Sequence, residues 1–515
     1  MTGVRAKRSS AMLARSAATF AAAAALAACT VGPDYRAPQT DAPAAWRVDP
    51  ADSFWRVAQP AHAPLDPQWW KVFGDADLDG LEQAALADNQ TLRVAAAHYE
   101  QARATLASVS SAQAPQVSLD ASAARERVSA NRPQLSYATP NMSTVQNDLA
   151  IGPTVSYELD LFGRIRRTVE SAQASAQQAG DDLANARLVL TAELATDYYA
   201  LRELDNEIDV VNRSVDLQQK ALDFVNAQHD LGAVSGLNVL QQKAQLDATR
   251  TQVHLLVNQR AQYEHAIATL TGQAAPEFAL APKVGPLPVP VLPPGMPSEL
   301  LQRRPDVASA ERAMAAANAQ IGVARAAYFP DLTLSPTLGW ESTRFSTLFS
   351  VPSLVWSLGG AAGEVLFDGG KREAGVAFAK AGYESAQASY RQTVLTAFQE
   401  VQNAVTGLSV LAGASADAQA AVDDARKSFD LANDRYQGGL VAFIDVINAQ
   451  QQLLASERQQ VQIHGQQAAT VVFLAKALGG GWSANEDALA RGGAAGAAQR
   501  GDSGRTGAVA AAGNG

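Results

Sequence analysis

One cysteine in 515 residues, Cys29, leaves this chain without any internal disulfide to brace it. Aromatic residues are also scarce, at 6%, too few for a bulky globular core. Beyond the N-terminal segment no eighteen consecutive apolar residues occur, which excludes helical membrane spans. A membrane could then be crossed only by strands of a closed barrel. A net charge of −10 with no long basic run argues against nucleic acid as a partner. Catalytic patterns are missing too. Six histidines lie scattered without metal-ligand spacing, so no metal is expected. FDGGKRE (Phe367–Glu373) lacks the spacing and Ser/Thr of a phosphate loop. In GAVSG (Gly232–Gly236) the serine falls one place late for a nucleophile elbow. The composition does supply abundant alanine with recurrent Gln and Asn, which suits long helices with small-residue seams. The reading is of a protein that is not an enzyme.

Cys29 sits in LAACTVGPDY (Leu26–Tyr35), behind Arg5, Lys7, Arg8 and Arg15 and the apolar run SAATFAAAAALAA. A basic start, a short apolar stretch and small residues before a break mark a secretory signal too short for a spanning helix. Leu26-Ala27-Ala28-Cys29 resembles a bacterial lipobox, which implies that Cys29 becomes the lipid-modified first residue of the mature chain. Thr30 follows, not the Asp that retains lipoproteins at the inner membrane, so the resemblance implies the outer membrane. A covalent lipid on Cys29 is the only attached group expected, with no other cofactor.

The chain is written twice. AQAPQVSL (Ala112–Leu119) matches AYFPDLTL (Ala327–Leu334) at an offset of 215. LFGRIRR (Leu161–Arg167) matches FDGGKRE with Gly163 on Gly369, and VLTA recurs at Val189 and Val394. LGAVSGLNVLQ (Leu231–Gln241) matches GGLVAFIDVIN (Gly438–Asn448) at an offset of 207, and LTG at Leu270 answers ALG at Ala477. The falling offset puts extra residues in the first copy, in the polar loop RVSANRPQLSYATPNMSTVQND (Arg127–Asp148). The expected divisions are a signal at 1–28, a lipidated extended segment at 29–74, a first repeat at 75–274, a Pro-rich connector at 275–297, a second repeat at 298–482 and a disordered tail at 483–515.

Each copy has the same order of elements. A helix comes first, about Leu78–Ser111 and Val307–Tyr328. Two strands follow, marked by period-two alternation of Val117, Leu119, Ala121, Ala123 and Val155, Tyr157, Leu159, Leu161 in one copy, and by Leu332, Leu334, Leu338, Trp340 and less clean alternation over Trp356–Phe367 in the other. A very long helix with steps of three and four then runs from Gly163 to Gly232, a reach of about 100 Å. Its second copy carries Val376, Ala379, Tyr383, Ala386, Tyr390, Val394 and Ala397. Glycine pairs (Gly232 and Gly236; Gly438 and Gly439) turn the chain at positive φ into a returning helix. Four strands cannot close a barrel and open edges are not tolerated in lipid. Two chains would give a filled interior and three a passage of twelve strands, so a trimeric tube fits.

This layout resembles the TolC-like outer membrane factor family, in its lipoprotein (NodT-type) branch of multidrug efflux exit ducts. LLQRRPDVASAERAMAAANAQIGVARAAYFPDLTLSPTLG (Leu300–Gly339), CTVGPDYRAP, YELDLFGRIRR (Tyr157–Arg167) and ALGGGW (Ala477–Trp482) carry the resemblance over nearly the whole mature chain. It implies a mixed α+β membrane protein: a homotrimer with a twelve-strand transmembrane β-barrel, four strands per chain, and a long periplasmic α-helical barrel. It implies partnership with a periplasmic adaptor and a proton-driven inner-membrane pump. A protein-secretion exit duct is the nearest rival, and a lipid-anchored periplasmic coiled-coil scaffold the more distant one. Arg304-Pro305-Asp306 reads as a helix start, with proline at the first turn and Asp306 complementing the helix dipole.

In the family the last helical hairpin closes the periplasmic end, with a tyrosine bonding to neighbours and acidic residues ringing the bore. Carried over, Tyr436 takes the tyrosine place and Asp445 the first acidic place, about two turns into the returning helix. Asn448 stands at the second acidic place, a departure from a double ring, and Val441 replaces a latch arginine. Asp430 and Asp434 add charge near the same opening. Asn238 is the first-copy counterpart of Asp445, so three chains would present three carboxylates at that level.

Overall fold

The computed structural model describes residues 30–38, 41–47, 66–131 and 144–482. The signal, Cys29, the tail beyond Trp482 and most of the polar loop lie outside them. Among the described residues the chain divides into two units: residues 30–38, 100–131, 144–178 and 311–389 form one, and residues 41–47, 66–99, 179–310 and 390–482 the other.

The first unit holds a four-stranded antiparallel sheet in the order β1-β2-β3-β4: β1 Gln116–Val128, β2 Thr144–Leu159, β3 Asp331–Ser342 and β4 Leu354–Gly363. The alternation seen in the sequence lies inside these strands, except that β2 ends before Leu161 and β4 before Phe367, where Asp160 and the turn before each long helix take over. The first hairpin's strands have 13 and 16 residues against 12 and 10 in the second. Matched at offsets of 215 for the first strands and 207 for the long helices, the first copy's excess falls between Val128 and Gln146, inside the expected stretch, and part of it lengthens the outer ends of β1 and β2. Residues 30–38 pack in this unit against the long helix α3 (Arg164–Asp230) and against α6 (Pro305–Ala326). Arg167, nearly buried, binds Asp34 at 2.7 Å and Glu170 at 2.7 Å. The Val31 N–H donates to the Phe162 carbonyl at 3.1 Å, and the Tyr35 hydroxyl donates to Glu311 at 2.9 Å.

In the second unit a short 3₁₀ turn (Trp69–Phe73) precedes α1 (Ala76–Asp88), and α2 (Gln90–Ser110) follows. A single helix over Leu78–Ser111 was expected. Asn89 breaks it, because its side chain accepts from the Leu92 N–H at 2.9 Å and donates to the Leu270 carbonyl at 2.9 Å. After the returning helix α4 (Gly236–Leu270) comes one 3₁₀ turn (Ala275–Glu277) and the irregular Pro-rich stretch leading to α5 (Pro297–Arg303). Then α7 (Lys371–Gln437) and α8 (Phe443–Ala477) repeat α3 and α4.

The helical repeat is strict. Both long helices have 67 residues and both returning helices 35, and each pair of ends is offset by 207. This register corrects two sequence matches. Gly163 corresponds to Gly370, not Gly369, and both take positive φ (83° and 90°) just before their helix. VLTA at Val189 and Val394 is out of register and coincidental. An aspartate caps each long helix. Asp160 accepts from the N–H groups of Ile165 and Arg166, and Asp368 from those of Gly370 and Arg372. Arg372 beside it holds the Asp368 carboxyl below the usual range.

Candidate functional sites: a two-faced sheet and the helical tips

Register decides what each face of the sheet presents. Val117, Leu119, Ala121 and Ala123 of β1 pair with Val155, Pro153, Ile151 and Leu149 of β2. Ile151, Tyr157 and Leu159 pair with Trp340, Leu334 and Leu332 of β3, and Leu338 and Trp340 with Trp356 and Leu354 of β4. All of these point one way, and that face is apolar across four strands. Large side chains on it stay open to solvent, including Leu119, Trp356 and Leu358. The other face carries Asp120, Glu126, Asp148, Glu158, Thr333, Asp331 and Glu341 beside serines, threonines and glycines, with no Lys or Arg within its strands. Among the described residues β1 and β4 each pair on one side only, so both edges present unpaired backbone groups.

The hairpin tips belong to the second unit. α3 ends in a Schellman turn: the Gly232 N–H donates to the His229 carbonyl and the Ala233 N–H to the Gln228 carbonyl, both at 2.8 Å. α7 ends identically, with Gly439 on Tyr436 (2.9 Å) and Leu440 on Arg435 (2.8 Å). Gly232 and Gly439 both have φ 73°. Gly236 and Gly438 do not turn the chain at positive φ as expected: Gly236 is the first residue of α4, and Gly438 is the second-copy partner of Leu231.

Around the second tip Phe443, Val446 and Ile447 form a buried cluster with Val225, flanked by Val234, Val239, Phe429, Ala432 and Tyr436. The Tyr436 ring lies 5.2 Å from that of Phe443, and its hydroxyl donates to Gln228 at 2.9 Å, tying the second hairpin to the first. Burial pushes that hydroxyl's pKa up. Asp445 is the third residue of α8, not two turns into it, because Ala442 remains extended (φ −78°, ψ 155°) and starts the helix late. Its carboxylate accepts from the Ala442 N–H at 3.1 Å, so the same group caps the helix and faces solvent. Asn448, one turn on, is exposed, as are Asp430 and Asp434 in the last two turns of α7, while Val441 is half-buried. The carboxylates of Asp430 and Asp434 have no hydrogen-bond partner among the described residues.

Other polar groups brace the second unit. Arg304, 5% exposed, donates to Asp306 (2.6 Å), Glu400 (2.5 Å) and the Ala477 carbonyl (3.2 Å), joining α6, α7 and α8. Asp75, the N-cap of α1, accepts from Tyr198 (2.8 Å), Arg202 (3.1 Å) and Lys283 (3.1 Å). Asp75 and Lys283 were not legible as a pair, since nothing in spacing joins residues so far apart. Glu82 is fully buried with neither oxygen partnered among the described residues. Burial, with Asp79 nearby, pushes its pKa up to about 9.

A duplicated strand–strand–long-helix chain, with a sheet apolar on one face and unpaired at both edges, defines a TolC-like outer-membrane channel. The comparisons agree with that class. The family model described as "Outer membrane efflux protein" matches residues 81–273 and 296–480, and the chain belongs to that family. It is 31% identical over 444 residues to the pyoverdine export outer membrane protein OpmQ of Pseudomonas aeruginosa, covering 86% of this chain and 93% of that one. With the toluene efflux pump outer membrane protein TtgF of Pseudomonas putida it shares 28% identity, over 90% of this chain and 96% of the relative. Among solved structures, the outer-membrane channel OprN matches with a TM-score of 0.81 and 33% identity, over 88% of this chain and all of that one. The Campylobacter jejuni channel CmeC matches with a TM-score of 0.81 and 25% identity, over 88% and 96%.

Proposed function

We propose that this chain is the outer-membrane exit duct of a tripartite efflux pump, conducting drugs or other small molecules passively from an inner-membrane transporter and periplasmic adaptor to the outside. One observation carries the reading: a sheet with one apolar face, one polar face and two open edges. Such a sheet satisfies its backbone in lipid only when further copies close it. Three chains close twelve strands around a polar passage, with the apolar face outward. The relatives' printed names concern pyoverdine, toluene, solvents and antibiotics, which favours small-molecule export over protein secretion.

Lipid on Cys29 fits the same assembly. Thr30 packs against Gly163, where an added Cβ would lie 2.6 Å from the Thr30 side chain. An acyl group on the preceding residue would start at the foot of the sheet, beside the membrane. At the tips, exposed Leu231 and Leu440 offer apolar contacts to an adaptor. Asp445, joined at the second acidic place by Asn448, would line the closed mouth with three carboxylates and favour cations. Tyr436 would hold the hairpin, and Asp430 and Asp434 would add to the field. No catalytic step is assigned.

Purified protein reconstituted in planar bilayers is expected to give discrete single-channel conductance and a heat-modifiable oligomer band on gels. A monomer without conductance would contradict the duct. Mass spectrometry of the mature N-terminus is expected to show lipid on Cys29, and an unmodified cysteine there would remove the anchor alone.

A further inference from the structure

Charge is sorted between the faces of the sheet more sharply than a passage requires. Its six strand carboxylates, Asp120, Glu126, Asp148, Glu158, Asp331 and Glu341, all lie on the polar face. Two strand bases, Arg125 and Arg127, lie on the apolar face, at the end of β1 away from the helices, where Arg125 pairs with Asn147 and Arg127 with Val145. Both are exposed. Asn147, on the same face, donates to the Thr343 carbonyl at 3.5 Å and so brings the start of the β3–β4 loop, with exposed Arg344, beside Arg125.

That loop is apolar and well braced. Ser342 and Thr347 share a hydroxyl–hydroxyl bond at 2.7 Å, Ser350 and Ser353 both donate to the Thr347 carbonyl, and Leu348 is buried. The frame nonetheless presents Phe345 (77% exposed), Phe349 (63%) and Val351 (86%). The Phe349 ring stands edge-on to Trp340, 5.7 Å away, which continues the apolar face of the sheet into the loop. A rim of arginines above a band of large apolar side chains is complementary to an amphiphile with an anionic head and acyl tails.

We propose that the outer end of the apolar face binds phosphorylated lipids of the outer leaflet. Arg125, Arg127 and Arg344 would take the phosphates, and Phe345, Phe349 and Val351 would pack against the acyl chains. This rests on the barrel reading, in which the apolar face meets lipid and these strand ends reach the outer surface. Arginine suits the task because its guanidinium offers two parallel donors to a phosphate. The acids of the described strands all lie on the opposite face, so none of them stands on the lipid side beside the rim.

Full-length protein in nanodiscs, offered bis-phosphorylated lipid A, its monophosphoryl form or phosphatidylethanolamine, can be assayed by native mass spectrometry for retained lipid. Wild type is expected to retain the bis-phosphorylated lipid at least tenfold better than phosphatidylethanolamine, with the monophosphoryl form between. R125Q/R127Q is expected to lose that preference, and R125K/R127K to keep most of it by keeping the charge. Equal retention of all three lipids by wild type, or undiminished preference in R125Q/R127Q, would overturn the proposal. A heat-modifiable oligomer band for each sample separates the two layers: an intact band without lipid preference sinks only this inference, whereas no band in wild type sinks the barrel as well.

Discussion

The two helical hairpins share one backbone plan and differ in what they bury. At an offset of 207, α3 places Arg202, Asp205, Glu207 and Gln218 in its interior, where α7 has Ser409, Ala412, Ala414 and Ala425. Arg202 reaches Asp75, Asp205 reaches Arg260 at 2.6 Å, and Glu207 reaches Arg458 at 2.6 Å. The first copy is thus tied to other segments by ion pairs that need one geometry. At these four positions the second copy packs by serine and alanine, whose small side chains let helices approach without fixing their register so tightly, and its buried ion pair lies elsewhere, at Glu400 with Arg304. At the tips the difference reverses: Asp445 carries charge where the first copy has Asn238. Duplication set the lengths and the glycine turns, and the divided interiors and tips let one copy brace while the other carries the mouth.

Breaking an ion pair should show the contrast most strongly. Asp205→Ala removes one of the two carboxylates on buried Arg260, Glu264 remaining at 2.7 Å, and takes the acceptor from the Lys283 N–H, and is expected to cost about 3 kcal/mol. The equivalent exchange in the second copy, Ala412→Ser, should stay within about 0.5 kcal/mol. Thermal melts of the assembled protein compare the two, and equal losses would erase the distinction between the two copies at these positions.

Glu82 sharpens the comparison through pH. Its folded pKa of about 9 lies above the ordinary glutamate value of 4.5. The folded state therefore holds a proton that the unfolded chain releases, and stability falls as pH rises from about 4.5 towards about 9. Glu82→Gln should remove that fall and gain on the order of 2–3 kcal/mol at pH 7. Parallel pH profiles for wild type and variant would contradict a buried, neutral acid.

Exchanging the tips tests where the charge matters. Asp445→Asn keeps a side-chain oxygen to cap α8 and removes the carboxylate, so cation preference in planar bilayers should fall several-fold while the assembly stays intact. Asn238→Asp should raise it. Unchanged reversal potentials in both would leave Asp445 as a cap alone. The smallest effect is expected where the copies agree: Gly232→Ala and Gly439→Ala each force φ 73° on a side chain with nothing packed nearby. Each should cost about 1 kcal/mol, equally in the two hairpins.

The long helices, the paired strands and the glycine turns were legible because period and punctuation are local. Register was less so. Gly369 and Gly370 are adjacent and both have positive φ, so only the helix start at Lys371 shows which of them answers Gly163. Asp445 was misplaced along its helix because nothing in VAFIDV announces that Ala442 stays extended. The sorting of acids and bases between the sheet's faces needs the pairing of four strands from both halves of the chain. The partners of Arg304 and Asp75 need contacts that spacing cannot reveal.

The central claim, that open edges of this sheet are closed by further copies, is met most directly by disulfide trapping. Lipid modification would leave Cys29 without a free thiol, so a cysteine introduced at Ser118 in β1, combined in turn with one at Val355, Ser357 or Gly359 in β4, has only its designed partner. All lie on the polar face. Oxidation in intact outer membranes should give a ladder of dimer and trimer, ending at trimer, for at least one of the three pairs. Crosslinks confined to single chains, or none for any pair, would contradict closure of the barrel by three copies.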